Sequence, residues 1–109
     1  MVGNRKAETI THSLLKHIVA SILERQGHKV SVEYKLSVMR DSEIADVYDH
    51  YSQLIYEIQT IKQNRQTELE RTRKYCLHTH VTDVIFIYTK DFPILLSAKK
   101  LYKLVELRL

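Results

Sequence analysis

The spacing of apolar residues changes from a helical to a strand-like period within the first third of the chain. Apolar residues recur at three- and four-residue intervals between Ile10 and Leu23, which predicts one face of an amphipathic helix. Gly27 follows at a position where helices commonly end. From Lys29 to Leu36 apolar and polar residues alternate instead, which predicts a strand. The chain therefore begins with a helix followed by a strand.

The remaining pattern predicts two more strands, a polar helix, a strand and a final helix. The last strand is a continuous apolar run, which is typical of a strand covered on both faces. These five elements are Ile44–Tyr48, Leu54–Gln59, residues 62–79, Val84–Tyr88 and Ile94–Leu107. We therefore expect an α/β fold in which helices flank a mixed sheet.

Length and composition favour one compact globular domain over residues 1–109. At 109 residues, about two thirds of the surface of the unfolded chain can be buried. No apolar run approaches the roughly 18 residues of a membrane span, and Asn4, Arg5 and Lys6 interrupt the N-terminus where a signal peptide would be apolar. Cys76 is the only cysteine, so no internal disulfide can form. We expect an intracellular, cytoplasmic protein without a membrane partner.

The charges are unevenly distributed along the sequence. The chain has a net charge of +4, yet residues 41–60 contain five acidic residues and no Lys or Arg. A turn centred between Tyr51 and Ser52 would pair residues whose numbers sum to 103, which places Asp46 opposite Glu57. Facing carboxylates repel each other, and a divalent cation would convert them into ligands. The alternative is that these acids are solvated, and a register slip of one residue would move Asp46 to the other face.

Around these acids the chain resembles a known family. Ala45-Asp46 is followed eleven residues after Asp46 by Glu57-Ile58-Gln59, in a predicted αβββαβ order covering residues 5–89. This combination resembles the PD-(D/E)XK nuclease superfamily, which includes restriction endonucleases and Holliday-junction resolvases. The resemblance implies a restriction-endonuclease-like core with an additional C-terminal helix.

The resemblance also implies a metal site and a reaction. It makes Asp46 and Glu57 ligands of Mg²⁺ or Mn²⁺, adds the backbone carbonyl of Ile58, and adds Glu8 from the first helix. A cation held by such ligands neutralises the phosphodiester and lowers the pKa of a bound water. The implied activity is hydrolysis of DNA by an endonuclease.

Two positions differ from the family pattern. Ala45 replaces the proline, and Gln59 stands where the family has a catalytic lysine. A glutamine can hold water by hydrogen bonds but carries no charge. Lys62, or alternatively Lys35, could supply that charge, although a solvated surface lysine is the ordinary role for either.

Basic side chains near the acidic segment indicate contact with phosphates. A solvated helix with internal ion pairs is the alternative for those on the polar helix, since Glu70 and Lys74 lie at i and i+4. The predicted contacts are Arg5, Lys6, Arg65, Arg71, Arg73 and Lys74.

We therefore expect DNA as the partner and a homodimer that brings two sites to two strands, with Ile94–Leu107 as one possible interface. A catalytically inactive nucleic-acid-binding module of the same fold, and a protein-interaction domain, are the alternative functions. His12 lies four residues after Glu8 and so shares its helix face. His12 could support the metal ligands, or could be a partly buried surface histidine.

Overall fold

The structure is a computed structural model that describes residues 9–37, 43–92 and 96–109. In these residues three α-helices and a short 3₁₀ helix accompany four strands, in the order helix, three strands, helix, strand, 3₁₀ helix, helix. The elements are α1 (Ile10–Arg25), β1 (Val30–Lys35), β2 (Ile44–Asp49), β3 (Leu54–Gln59), α2 (Arg65–Tyr75), β4 (Asp83–Tyr88), the 3₁₀ helix (Thr89–Asp91) and α3 (Ala98–Arg108). The predicted α/β class and element order are confirmed.

The strands form one mixed sheet in the order β1-β2-β3-β4. The first three strands are antiparallel neighbours, and β4 lies parallel to β3. Because β4 runs parallel to β3, the chain must return to the end of the sheet at which β3 starts. The segment that contains α2 makes this crossover connection.

Helices cover both faces of this sheet. Leu15, Val19 and Ile22 of α1 pack with Val105 of α3 and with Ile58 of the sheet in one hydrophobic core. Tyr75 of α2 packs with Ala45, Ile55 and Val84 in a second core on the other face. Side chains of β3 alternate between the two faces, since Tyr56 and Ile58 belong to the first core and Ile55 to the second.

Capping side chains explain why α2 and α3 begin later than the sequence predicted. The side chain of Asn64 accepts a hydrogen bond from the backbone N–H of Thr67, and Ser97 accepts one from Lys100. Each satisfies an N–H group that has no partner within the helix, so α2 starts at Arg65 and α3 at Ala98. The predicted start at Ile94 lies outside the described residues.

The end of α1 follows the prediction. The helix ends at Arg25, and Gly27 adopts a φ of +89°. This left-handed conformation is readily available to glycine and terminates many helices. None of the described helices combines the length and apolar character needed to cross a membrane.

Candidate metal centre at the opened strand pair

The strands β2 and β3 pair in the predicted register. Val47 faces Tyr56, Tyr48 faces Ile55 and Asp49 faces Leu54, so the paired residue numbers sum to 103 as expected. Asp46 and Glu57 occupy the next position of this register, where side chains replace the usual backbone partners.

Two carboxylates bind backbone N–H groups across this gap. The N–H of Asp46 donates to Oε2 of Glu57 at 2.8 Å, and the N–H of Ile58 donates to Oδ2 of Asp46 at 2.7 Å. Each acid therefore accepts from the strand that carries the other acid. This exchange holds both carboxyl groups between the strands while satisfying backbone donors that would otherwise lack a partner.

The neighbouring strand pair is also interrupted at this level. Val32 pairs with Val47 and Tyr34 pairs with Ala45, but Glu33 and Asp46 between them form no ladder pair. Glu33 has a φ of +53°, a left-handed conformation that costs a residue other than glycine roughly 1 kcal/mol or more. Glu33, Asp46 and Glu57 thus occupy one cross-strand level of the sheet, which we call the acidic row.

Glu57 is buried beneath α2 and has three hydrogen-bond partners. Its Oε1 atom accepts from Nη2 of Arg71 at 2.7 Å and from the hydroxyl of Tyr75 at 2.9 Å, in addition to the Asp46 N–H. Burial, followed by the charge of Asp46, nevertheless raises the pKa of Glu57 to about 7. Burial and the charge of Glu57 also raise the pKa of Tyr75. The pair therefore carries electrostatic strain that the surrounding hydrogen bonds do not remove.

Asp46 is also close to α1. Nε2 of His12 lies 3.5 Å from Oδ2 of Asp46, which places His12 beside the carboxylate pair as the sequence allowed. Glu8, Arg5 and Lys6 of the predicted site lie outside the described residues.

The donor chemistry of the pair fits a hard divalent cation. Asp46 and Glu57 supply carboxylate oxygens, the ligands that Mg²⁺ and Mn²⁺ prefer, and a cation would offset the repulsion that raises the pKa of Glu57. Within the described parts of the chain, however, no group of three or more His, Cys, Asp or Glu side chains is arranged to hold an ion. Further ligands would have to come from backbone such as the carbonyl of Ile58, from water or from residues such as Glu8.

Gln59 and Lys62 lie toward β4. Gln59 pairs with Tyr88 across the parallel ladder, and the ammonium of Lys62 lies 4.8 Å from the ring centroid of Tyr88. Among the described residues Lys62 forms no ion pair with either carboxylate of the pair, and Lys35, at the exposed end of β1, forms none either.

The predicted nucleic-acid-binding residues of α2 divide into two groups. Arg65, Arg73 and Lys74 are exposed, and Lys74 lies 3.8 Å from Glu43. Arg71 instead binds Glu57 and lies over the ring of Phe86 at 5.6 Å. The i, i+4 spacing of Arg71 and Tyr75 is the sequence signal that both lie on one face of α2, and both side chains bind Glu57 of the sheet.

No family model, curated protein or solved structure matches this chain. The family resemblance therefore rests on the residues and their arrangement alone.

Proposed function

We propose that this protein is a Mg²⁺- or Mn²⁺-dependent DNA endonuclease of the PD-(D/E)XK type with a restriction-endonuclease-like fold. The observation that supports this most strongly is the meeting of Asp46 and Glu57 at an opened strand pair, each bound to the other's strand at 2.7–2.8 Å. Two carboxylates placed between strands, with the pKa of one raised to about 7, are costly to folding. A functional role accounts for that cost better than a structural one.

The residues of the chain have distinct roles in this proposal. Asp46 and Glu57 would hold the cation, with the carbonyl of Ile58 and with Glu8. When bound, such an ion supplies charge neutralisation for the phosphodiester and a more acidic water. Arg71 and Tyr75 fix the Glu57 carboxyl group by hydrogen bonds, and Gln59 would orient water without contributing charge.

The exposed cations of α2 provide a path for the DNA backbone. Arg65 and Arg73 are exposed on the helix whose inner face binds Glu57. Guanidinium groups bind phosphate in a bidentate manner, and the resulting affinity should fall steeply with salt.

The proposal is tested by incubating purified protein with supercoiled plasmid and with a four-way DNA junction, in Mg²⁺, in Mn²⁺ and in chelator. We expect metal-dependent cleavage that Asp46→Ala and Glu57→Gln abolish, whereas Glu106→Gln, on the exposed side of α3, serves as the charge-matched control. Cleavage that persists in both site variants would contradict the assignment.

A second candidate is a nucleic-acid-binding module of the same fold without catalytic activity. Gln59 lacks the charge of the family lysine, and Oε1 of Glu57 already accepts two hydrogen bonds, which favours this candidate. DNA binding that is equal in chelator and in Mg²⁺, together with no cleavage, would support it.

We also propose that two copies associate, since one chain of 109 residues covers a short stretch of duplex. Leu101 and Val105 of α3 are buried in the chain's own core, whereas Leu107 is 83% exposed, so only the outer face of α3 is available as an interface. Light scattering should give a dimer mass, and a monomer mass at working concentration would contradict this.

A further inference from the structure

Lys16 is a buried cation that the proposed reaction does not yet use. Among residues 9–37, 43–92 and 96–109 the buried charged residues are Lys16, Asp49 and Glu57, and Lys16 is only 1% exposed. Its ammonium lies 3.4 Å from Oε2 of Glu33. Removing an ammonium group from water costs several kcal/mol unless a partner compensates it, and Glu33 is such a partner.

The Lys16–Glu33 pair borders the proposed metal centre on two sides. Lys16 lies one turn after His12 on the same face of α1, and His12 lies 3.5 Å from the carboxylate of Asp46. Glu33 is a member of the acidic row and adopts its left-handed conformation at the level of Asp46. The positive charge of Lys16 is therefore buried next to the acidic row, beside the carboxylate of Glu33, whose side chain is 47% exposed.

We propose that Lys16 is a positioning residue that supplies the fixed positive charge that Gln59 does not. This inference rests on the proposed nuclease function. Lys16 acts through Glu33, which it holds at the level of Asp46, and through its electrostatic field on the Asp46–Glu57 pair. Negative charge develops on the phosphate oxygens during hydrolysis, and a fixed charge that is already oriented stabilises it without reorganisation.

Replacing Lys16 with Met distinguishes this role from a packing role, because we expect Mn²⁺ affinity to rise while kcat falls. Methionine has a similar length, and replacing a buried ion by an apolar group often leaves stability unchanged or raises it. Without the ammonium, Mn²⁺ should bind more tightly, by about tenfold, because a nearby like charge is removed. The kcat for cleavage should fall by at least about tenfold with little change in KM. A packing defect would weaken metal binding and cleavage together.

Replacing Glu33 with Gln tests the other member of the pair. This change removes the carboxylate that lies 3.4 Å from the ammonium of Lys16, and with it one negative charge of the acidic row, so Mn²⁺ affinity should fall, opposite in direction to Lys16→Met. The double variant Lys16→Met/Glu33→Gln should return Mn²⁺ affinity to within about threefold of wild type, since the two changes act on one pair.

The experiment measures Mn²⁺ binding by isothermal titration calorimetry and single-turnover cleavage for wild type, Lys16→Met, Glu33→Gln and the double variant. Lys90→Met, at an exposed lysine of the 3₁₀ helix, is the matched control, and Lys16→Arg retains the charge and should keep both properties within about threefold. If Lys16→Met does not fold, Lys16→Gln, which also removes the charge, is compared with Glu33→Gln in its place.

Opposite shifts of Mn²⁺ affinity in Lys16→Met and Glu33→Gln, with slower cleavage in the former, support the proposal. Unchanged values, or parallel losses in both variants, overturn it. A wild-type protein that neither binds Mn²⁺ nor cleaves DNA overturns the proposed function itself. An active wild type with an equally active Lys16→Met variant overturns only the role of Lys16.

Discussion

Asp49 and Glu57 are both buried acids of the β2–β3 hairpin, yet their environments have opposite effects on their ionisation. Asp49 is 0% exposed and Glu57 is 3% exposed, so burial alone would raise the pKa of each. At Asp49, near the turn, hydrogen bonds from neighbouring groups outweigh burial and lower the pKa. At Glu57, near the opened end of the hairpin, the pKa rises to about 7 because burial and the charge of Asp46 dominate.

The partners of Asp49 explain its low pKa. Nδ1 of His28 lies 2.6 Å from Oδ2 of Asp49, and the backbone N–H of Tyr51 donates to Oδ1 at 2.9 Å. A weaker backbone contact comes from Ser52 at 3.4 Å. These donors stabilise the ionised form and close the turn, so Asp49 has a structural role.

Glu57 also accepts several hydrogen bonds, but it shares the acidic row with Asp46. Two acids that cannot both ionise freely are typical of sites that bind cations or move protons. Burial of an acid is therefore not enough to identify a cation-binding site in this hairpin, since Asp49 and Glu57 are both buried. The distinguishing property is that the pKa of Glu57 stays raised, by burial and by the charge of Asp46, although Arg71 and Tyr75 bind its carboxylate.

The largest expected effect separates the two acids by activity. Glu57→Gln should reduce cleavage of DNA by at least about a hundredfold, because a cation ligand is lost. Asp49→Asn should retain activity within about threefold per folded molecule. The measurement is single-turnover cleavage at low temperature, normalised to the folded fraction by circular dichroism. Equal losses in both variants would break the comparison.

The next largest effect concerns the free energy of unfolding, to which Asp49 should contribute as a structural residue. Asp49→Ala should lower the free energy of unfolding by about 3 kcal/mol, since it removes the charged acceptor for His28 and for the turn. Urea denaturation measures this, with Asp91→Ala at an exposed position as the control. A loss below about 1 kcal/mol would show that Asp49 does not hold the turn.

The contributions of Glu57 and Asp49 to the pH dependence of stability should have opposite signs. The pKa of Glu57 rises from 4.5 when unfolded to about 7 when folded, so between these values the folded state binds more protons. The free energy of unfolding should therefore fall as pH increases through this window, by on the order of 3 kcal/mol. The contribution of Asp49 has the opposite sign, since its pKa is lowered on folding. It is present above the unfolded pKa and is lost as pH falls through the folded pKa.

Urea denaturation of wild type and Glu57→Gln from pH 4.5 to 8 measures this slope. The variant should lose most of the decrease between pH 5 and 7. A wild-type protein whose stability rises across that window would indicate that Glu57 is already compensated.

The smallest effect is a gain in stability. Glu57→Gln should raise the free energy of unfolding at pH 8 by about 1 kcal/mol, because an amide removes the repulsion from Asp46 and still accepts hydrogen bonds from Tyr75 and Arg71, whereas its NH2 group cannot accept from the N–H of Asp46 as Oε2 does. Thermal unfolding without added metal measures this gain. Arg71→Lys should instead destabilise, since a lysine cannot reproduce the guanidinium contact with Glu57.

The hairpin register could be predicted because it follows from residue numbers and one turn position. Asp46 and Glu57 were therefore placed at one level correctly, and β3 was predicted with its observed bounds, Leu54–Gln59. The left-handed conformation of Glu33 could not be predicted, because no glycine or Asn marks it.

The contacts of the helices were less accessible from the sequence. The charge of Arg71 predicted a contact with nucleic acid. That charge alone does not reveal that the side chain is directed toward Glu57. Lys16 lies within an otherwise apolar helix face, and only the packing of α1 on β1 shows that its partner is Glu33. Such pairings depend on how each helix is rotated against the sheet.

The most direct test of the proposed metal centre is a crystal structure of the protein soaked in Mn²⁺, with anomalous scattering used to locate the ion. We predict one anomalous peak at about 2.0–2.4 Å from carboxylate oxygens of both Asp46 and Glu57, absent from crystals of Glu57→Gln. A peak bound elsewhere, or none near these carboxylates at saturating Mn²⁺, would contradict the assignment of this acid pair as a metal centre.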